Sequence, residues 1–249
     1  MGTIVTIDIF GEDQLSVLHI ARGVDAAQNI LREADDVFST WKPQSPLSRL
    51  RRGELTVGEG PAVIAEVLDE CRVAKRLSRG WFDPWAMPGG VDPTGLVKGW
   101  SAQRALDPLR ELGLTGALIN AAGDVASFGG PTRGEPFRIG VVWPGDLRRL
   151  ACVVESPGAV ATSGTYERGN HLVNPFTRAA TPTASATVTG PDLGLADALA
   201  TALAVAGQAG LEFISSLKNY EGLVIETTNN LYASKGFPMA ETFLSGRAS

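Results

Sequence analysis

Two residues of the stretch "ADALATALAVAG", Asp197 and Thr201, are of the right type and spacing for chemistry. The stretch covers residues 196–207 and is otherwise small and apolar, which predicts a buried helix on which residues four apart share a face. A carboxylate beside a hydroxyl provides two oxygen ligands for a hard cation such as Mg²⁺, which would offset the cost of burying the carboxylate. The pair alone, however, favours a simpler interpretation, in which Asp197 caps the helix and the Thr201 hydroxyl bonds back to a helix carbonyl.

A second set of polar residues lies in the segment 81–99, "WFDPWAMPGGVDPTGLVKG". Its glycines let the backbone come close to a ligand beside Asp83 and Asp92, and Lys98 offers a point charge to a phosphate. Asp-Pro and Pro-Gly are also ordinary turn sequences, and the common nucleotide motifs, Gly-x-x-x-x-Gly-Lys-Ser/Thr and Gly-x-Gly-x-x-Gly, are absent. The many prolines and glycines predict a loop over the whole of 81–99, and a loop of this length is typical of a binding site.

The third set lies in residues 161–175, "ATSGTYERGNHLVNP". The sequence Thr-Ser-Gly lacks the Gly-x-Ser-x-Gly pattern of a nucleophilic serine, and only His19 and His171 could take part in a catalytic triad. His171 follows a polar turn and could act as a general base near neutral pH, although a lone histidine is more often structural.

The elements that must position these residues read as short strands interrupted by helices. Apolar residues recur at helical spacing over 20–38 and 64–77, and further helices are predicted near 100–112, 196–207 and 208–217. Strands are predicted at 3–10, 116–120, 124–128, 137–143, 149–155, 158–162, 183–189, 222–226 and 230–234. Hairpin-like strands with few regular βαβ repeats predict an α+β fold with mostly antiparallel or mixed sheets and packed helices, in one domain over 1–249.

Composition excludes several classes of protein. The chain has 249 residues, of which 44% are hydrophobic, so that it can bury a large core. Its net charge of −5, with scattered Lys and Arg, argues against a nucleic-acid partner. Cys71 and Cys152 lie far apart, which predicts buried thiols without a disulfide or a Cys-x-x-Cys site. The chain begins with a strand-like run, and we expect neither a signal peptide nor insertion into a membrane, and therefore a cytoplasmic location.

Taken in order, five blocks resemble the ApbE family of FAD:protein FMN transferases. An opening Met-Gly-Thr is followed by "WKPQSPLSRL" and by Phe-Asp-Pro at 82–84, and "DPTGLVKGW" precedes a helix and then "GLTGALINAAGD". The family's Ala-Thr-Ser-Gly-x-Tyr-Glu-Arg is matched at 161–168, its His-Ile-x-Asp-Pro appears as "HLVNP", and its Ala-Asp-Ala-x-Ala-Thr-Ala is "ADALATA". The resemblance extends from Met1 to about Gly207.

The resemblance implies a site and a reaction. Asp197 and Thr201 would hold Mg²⁺ with a backbone carbonyl that falls at Gly95, and His171 would deprotonate the acceptor. Contacts with FAD would fall on Met1, Trp41, Trp81, Phe82, Asp83, Asp92, Lys98 and Leu172. The family transfers FMN from FAD to a threonine hydroxyl of a target flavoprotein and releases AMP, so the pyrophosphate must be neutralised during attack.

The chain departs from the family pattern at Pro93, Gly95, Val97, Ala122 and Asn174, and "NPFTRAA" lacks the usual Pro-x-Thr-Gly. Glycine at 95 still provides the carbonyl. Two other functions use the same site: an FAD pyrophosphatase, in which water is the acceptor and FMN and AMP are the products, and a protein that binds FAD without chemistry. The Asn174 change keeps the second of these open.

Overall fold

The computed structural model describes residues 3–11, 15–164, 174–177, 181 and 183–243 and has the predicted α+β class. The helices are α1 Val17–Phe38, α2 Pro46–Arg51, α3 Ala62–Leu77, α4 Thr94–Ala105, α5 Asp107–Arg110, α6 Leu193–Ala206 and α7 Leu211–Ser215. The strands are β1 Val5–Phe10, β2 Gly116–Ala121, β3 Asp124–Gly129, β4 Arg138–Trp143, β5 Asp146–Glu155, β6 Ala159–Gly164, β7 Thr183–Gly190, β8 Glu221–Glu226, β9 Leu231–Ala233 and β10 Met239–Thr242. The domain extent of 1–249 stays a prediction.

The strands form two sheets in which every neighbouring pair is antiparallel. Seven strands lie in the order β1-β2-β3-β6-β7-β8-β9, and three lie in the order β10-β5-β4. The prediction of mostly antiparallel sheets is therefore confirmed.

The large sheet separates a helical layer from the small sheet. Successive side chains of a strand point to opposite faces, and β6 shows the consequence: Ala159 and Ala161 join the core shared with the helices, whereas Val160 joins a second cluster with Val141 and Cys152 of the small sheet. Within the helical layer, α6 packs against α4, β6 and β7. Helix α6 is therefore central, and its sequence is apolar nearly all round because it is covered on all sides.

The start of α6 decides between the two interpretations of Asp197. The residue that caps the helix is Asp192, whose side chain accepts a hydrogen bond from the Leu195 N–H at 2.8 Å. Asp197 is the fifth residue of α6. It lies beyond the first turn, and its side chain therefore cannot cap the free N–H groups at the start of the helix. The interpretation of Asp197 as a helix cap is therefore wrong.

The prediction of a loop over the whole of 81–99 is also wrong. Helix α4 begins at Thr94, and Pro84–Ala86 form a 3₁₀ turn. The Asp92 side chain accepts hydrogen bonds from both the backbone N–H and the hydroxyl of Thr94, which stabilises the first turn of α4. Helix α2 was not predicted either, although Pro46 is at a position where the start of a helix tolerates proline.

The run Leu193–Ser215 has the length and composition of a helix that could cross a membrane, contrary to the expectation from sequence, but 61% of its apolar window is buried inside the protein. The packing of α6 in the core accounts for this composition. The run is therefore weak evidence for a membrane.

We expect both cysteines to be inert in the folded protein. Burial raises the pKa of the Cys71 thiol to about 12 and that of Cys152 to about 11, against about 8.5 for an exposed thiol. At pH 8, Ellman's reagent should titrate both thiols only after denaturation. Because the folded pKa values are raised, the stability that the protonated thiols contribute is complete below pH about 8.5 and declines as the pH rises toward 11. Fast labelling of the native protein at pH 8 would contradict the burial of either thiol.

Candidate functional site

A single open cleft gathers most of the polar residues that the sequence singled out. It lies between α4, α6, the end of β6 and the segment 81–92 and has a cavity volume of about 130 Å³. Eight of the predicted site residues line it: Trp81, Phe82, Asp83, Asp92, Gly95, Lys98, Asp197 and Thr201. The α4–α6 contact therefore brings together two motifs that are about a hundred residues apart in the chain.

The Asp197 carboxylate is buried at this contact. It is 3% exposed, and its Oδ2 accepts a hydrogen bond from the Gly99 N–H at 3.0 Å. In a regular helix this N–H would donate to the carbonyl of Gly95, four residues earlier. Gly99 also lets the two helices approach, because a Cβ there would lie 2.3 Å from the Leu193 carbonyl oxygen.

Three charged groups meet at one side of the cleft, where Lys98 and Asp197 line it and Asp124 lies buried behind Lys98. The Lys98 ammonium contacts Asp124 Oδ2 and lies 3.7 Å from Asp197 Oδ2. Asp124 begins β3, is 1% exposed, and its Oδ1 accepts from the Thr162 N–H at 2.9 Å, which ties it to β6. Lys98 thus faces two buried carboxylates, and a carboxylate oxygen is a ligand that a hard cation accepts.

Neutral oxygen atoms lie next to these charges. The Thr201 hydroxyl is 3.2 Å from Ser163 Oγ, and a Cβ added to Gly95 would lie 3.4 Å from Thr201 Oγ1. Among the residues that the structure describes, no group of three or more His, Cys, Asp or Glu side chains could hold a metal. A cation here would therefore depend on one carboxylate with hydroxyl, carbonyl and substrate oxygens, which is the kind of site that Mg²⁺ accepts.

One wall of the cleft is aromatic. Phe82 is buried, and the Trp81 ring meets the exposed Phe176 ring edge-on with centroids 4.9 Å apart. Phe176 is held by Asn174, whose Oδ1 accepts from the backbone N–H groups of Phe176 and Thr177 at 2.9 and 3.0 Å. An aspartate would offer the same acceptor, so the change from the family's aspartate preserves this turn.

Two of the predicted ligand-binding residues in the cleft also form ion pairs, and another predicted residue lines a neighbouring cavity. Asp83 caps the 3₁₀ turn and pairs with Lys75 at 2.7 Å, while Asp92 pairs with Arg51 at 2.7 Å. Trp41 is 87% exposed and lines a neighbouring cavity that shares Thr94 and Lys98 with the cleft. Met1, His171 and Leu172 lie outside the described residues.

The turn between β2 and β3 positions Asp124. Ala122 and Gly123 form a two-residue hairpin loop with φ of 52° and 94°, which is the geometry of a type I′ turn. The Asn120 side chain supports it by accepting from the Gly123 N–H at 2.8 Å. Ala122 is therefore an alanine at a position where glycine is preferred.

We expect Ala122→Gly to stabilise the protein. Glycine adopts positive φ without the steric cost that alanine meets, and the gain is about 1 kcal/mol. Chemical denaturation would measure it as a higher midpoint at unchanged slope. The control is Ala121→Gly in strand β2, where φ is not positive and a buried methyl is lost, and it should be destabilising. A destabilised Ala122→Gly protein would show that the turn is not strained.

Three residues of the site were given no role from sequence. Asp124 and Ser163 lie within the quoted family blocks, which was the signal that could have found them. Arg51 had no such signal, because its partners are about forty residues away in the chain.

Comparisons with known proteins agree on one family. A model of the ApbE family matches residues 1–90 and 87–224, and comparison with curated proteins gives no match. The flavin transferase ApbE from Vibrio cholerae has a TM-score of 0.78 at 24% identity, with 95% of each chain covered. The apo flavinyl transferase ApbE from Pseudomonas stutzeri has a TM-score of 0.76 at 20% identity over 94% of this chain and 93% of its own. An ApbE protein from Thermotoga maritima has a TM-score of 0.79 at 20% identity over 94% of each. At these identities the structures show a shared fold.

Proposed function

This chain belongs to the ApbE family, and from that premise we propose that it is an Mg²⁺-dependent enzyme that transfers FMN from FAD to a threonine hydroxyl of a target flavoprotein and releases AMP. The observation that carries the proposal is that Lys98, which pairs with the buried Asp124, and Asp197 line a cleft that also has an aromatic wall. The names of the flavin-transferase neighbours agree with it.

The cleft combines the two chemical features that FAD requires. The rings of Trp81 and Phe82, which line the cleft, offer an apolar surface to a planar ring system. The Lys98 ammonium offers a positive charge to the pyrophosphate, and Asp124 limits where that ammonium can lie. The dinucleotide would therefore bind with its phosphates toward α4 and α6.

The residues present also fit a magnesium ion. Asp197, Thr201 and the Gly95 carbonyl would hold it, since all three provide oxygen ligands near the α4–α6 contact. When bound, Mg²⁺ would neutralise phosphate oxygens and so lower the barrier to attack. Lys98 would share this task as a second, permanent cation.

The reaction conserves atoms in a simple way. The threonine oxygen forms a bond to the phosphorus of the FMN half, the bond from that phosphorus to the bridging oxygen breaks, and AMP leaves with that oxygen. The hydroxyl proton passes to a base. His171 lies outside the described part of the chain, and we assign it as the base from the family pattern alone. The cytoplasmic location and the absence of nucleic-acid partners and of membrane insertion remain predictions from sequence.

The test is to incubate the protein with FAD and Mg²⁺, with and without a threonine-bearing acceptor domain, and to measure AMP by chromatography and the acceptor by mass spectrometry. An acceptor heavier by one FMN residue, with an equal amount of AMP, supports the transferase. AMP with free FMN in both samples would identify the pyrophosphatase instead. Tight FAD binding without AMP, in a series of acceptors, would identify a binding protein.

A further inference from the structure

Arg51, the last residue of α2, joins that helix to the wall of the cleft. Its side chain is 17% exposed, and its guanidinium donates three hydrogen bonds to one short segment. The acceptors are the Pro88 carbonyl at 2.8 Å, the Gly89 carbonyl at 3.2 Å and Asp92 Oδ2 at 2.7 Å. Arg51 itself does not line the cleft that the described residues form.

The segment wraps closely around this arginine. Gly89 and Gly90 have φ of 78° and 105°. A Cβ at Gly89 would lie 3.1 Å from Arg51 Nη2, and one at Gly90 would lie 3.3 Å from the Arg51 carbonyl oxygen. The glycines of "MPGG" thus allow the backbone to approach Arg51. From the sequence, these glycines were expected to let the backbone approach a ligand.

Asp92 carries the contact onward to α4. Its Oδ2 accepts from Arg51, while its Oδ1 accepts from the Thr94 N–H at 3.1 Å and the Thr94 hydroxyl at 2.6 Å. The Asp92 N–H donates to the Pro84 carbonyl at 3.0 Å, which closes the segment 84–92. Both carboxylate oxygens of Asp92 therefore have partners inside the protein, which argues for a positioning role rather than the direct FAD contact implied by the family pattern.

We propose that Arg51 is a positioning residue that fixes the 84–92 wall and the first turn of α4, and through them the Gly95 carbonyl, for the binding of FAD and Mg²⁺. The inference rests on the proposed function. The planar guanidinium can donate to two carbonyls and a carboxylate at once, whereas a lysine ammonium on a single stem can keep the ion pair with Asp92 but not all three contacts. The position of the 84–92 wall therefore depends on the planar geometry of the guanidinium more than on its charge.

The test compares Arg51→Lys with Arg52→Lys. Arg52 is the adjacent arginine, is exposed, and bonds to Glu54 and the Pro43 carbonyl, away from the cleft. Three quantities are measured for each variant and the unchanged protein: the FAD dissociation constant from flavin fluorescence, the Mg²⁺ concentration that gives half-maximal AMP release, and kcat at saturation of both. Amide hydrogen exchange of residues 84–96 and thermal unfolding are recorded alongside.

For Arg51→Lys we expect FAD binding and the half-saturating Mg²⁺ concentration each to worsen about tenfold, which is the size expected for the loss of hydrogen bonds to a charged donor. We expect kcat at saturation to fall by less, exchange of 84–96 to quicken, and Arg52→Lys to match the unchanged protein. An Arg51→Met protein should be weaker still in both constants.

Unchanged FAD affinity and Mg²⁺ dependence in Arg51→Lys would overturn the inference, even with faster exchange, since Arg51 would then be only structural. Failure of the proposed function is a separate outcome. If the unchanged protein binds FAD but releases no AMP with any acceptor, the transferase fails, while a weaker FAD affinity in Arg51→Lys still supports the positioning role. An unchanged protein that binds no FAD would overturn both.

Discussion

Asp197→Asn should lower the rate of Mg²⁺-dependent AMP release at least about a hundredfold. The variant should still fold. The asparagine oxygen can still accept from the Gly99 N–H, so the α4–α6 contact is kept. What is lost is the negative charge that a cation would neutralise. Because Lys98 then faces one buried carboxylate instead of two, we expect the melting temperature to stay equal or to rise.

Asparagine is preferable to alanine at this position, because alanine would remove the side-chain oxygen that accepts from the Gly99 N–H and joins α4 to α6. The matched control is Asp192→Asn on the same helix, where asparagine caps as well as aspartate does. Calorimetric titration with Mg²⁺ in the presence of FAD, beside AMP release, should separate the two variants. Normal Mg²⁺ binding and turnover in Asp197→Asn would refute the cation site.

Lys98→Met should have the second large effect, on stability and on activity together. Lys98 pairs with Asp124, which is 1% exposed, and removal of one partner of a buried pair costs about 3 kcal/mol because the other charge is left without compensation. Activity should fall about a hundredfold or more, since the charge near the pyrophosphate is lost. Urea unfolding and AMP release measure the two effects.

The double variant Lys98→Met/Asp124→Asn separates these two roles. Asparagine can still accept from the Thr162 N–H, and position 124 no longer carries a buried charge, so part of the stability should return. The buried Asp197 carboxylate still loses its contact with Lys98, so the recovery should be incomplete. The activity should not return, because no cation from α4 would face the phosphates. A double variant that regained transfer would mean that Lys98 acts only by stabilising Asp124.

Much of the architecture could be predicted from local patterns. The bounds of β2, β3, β7 and β8 were predicted to within one residue, because short runs of apolar and β-branched residues bounded by turn residues are a local signal. The prediction for the segment 81–99 was wrong because its prolines and glycines were taken to indicate a loop throughout. Thr94–Lys98 are helical since Asp92 stabilises the start of α4, and Gly99 is helical since it packs against α6.

The site shows the same division. Spacing along one helix sufficed to place Asp197 and Thr201 on one face, and the motif order sufficed to identify the family, which the family match confirms. Sequence alone could not decide whether Asp197 capped its own helix or faced another, and here the simpler interpretation was wrong.

The sequence by itself determined most of the elements, the family and the list of residues able to do chemistry, because side-chain periodicity and motif order are encoded along the chain. Only the tertiary structure decided which of these residues share a charge environment. Asp197 reaches Gly99 across 98 positions, Lys98 reaches Asp124 across 26, and Arg51 reaches Asp92 across 41. The physical reason is that the partners of a buried charge are set by which helices and strands pack together, and no local pattern carries that information.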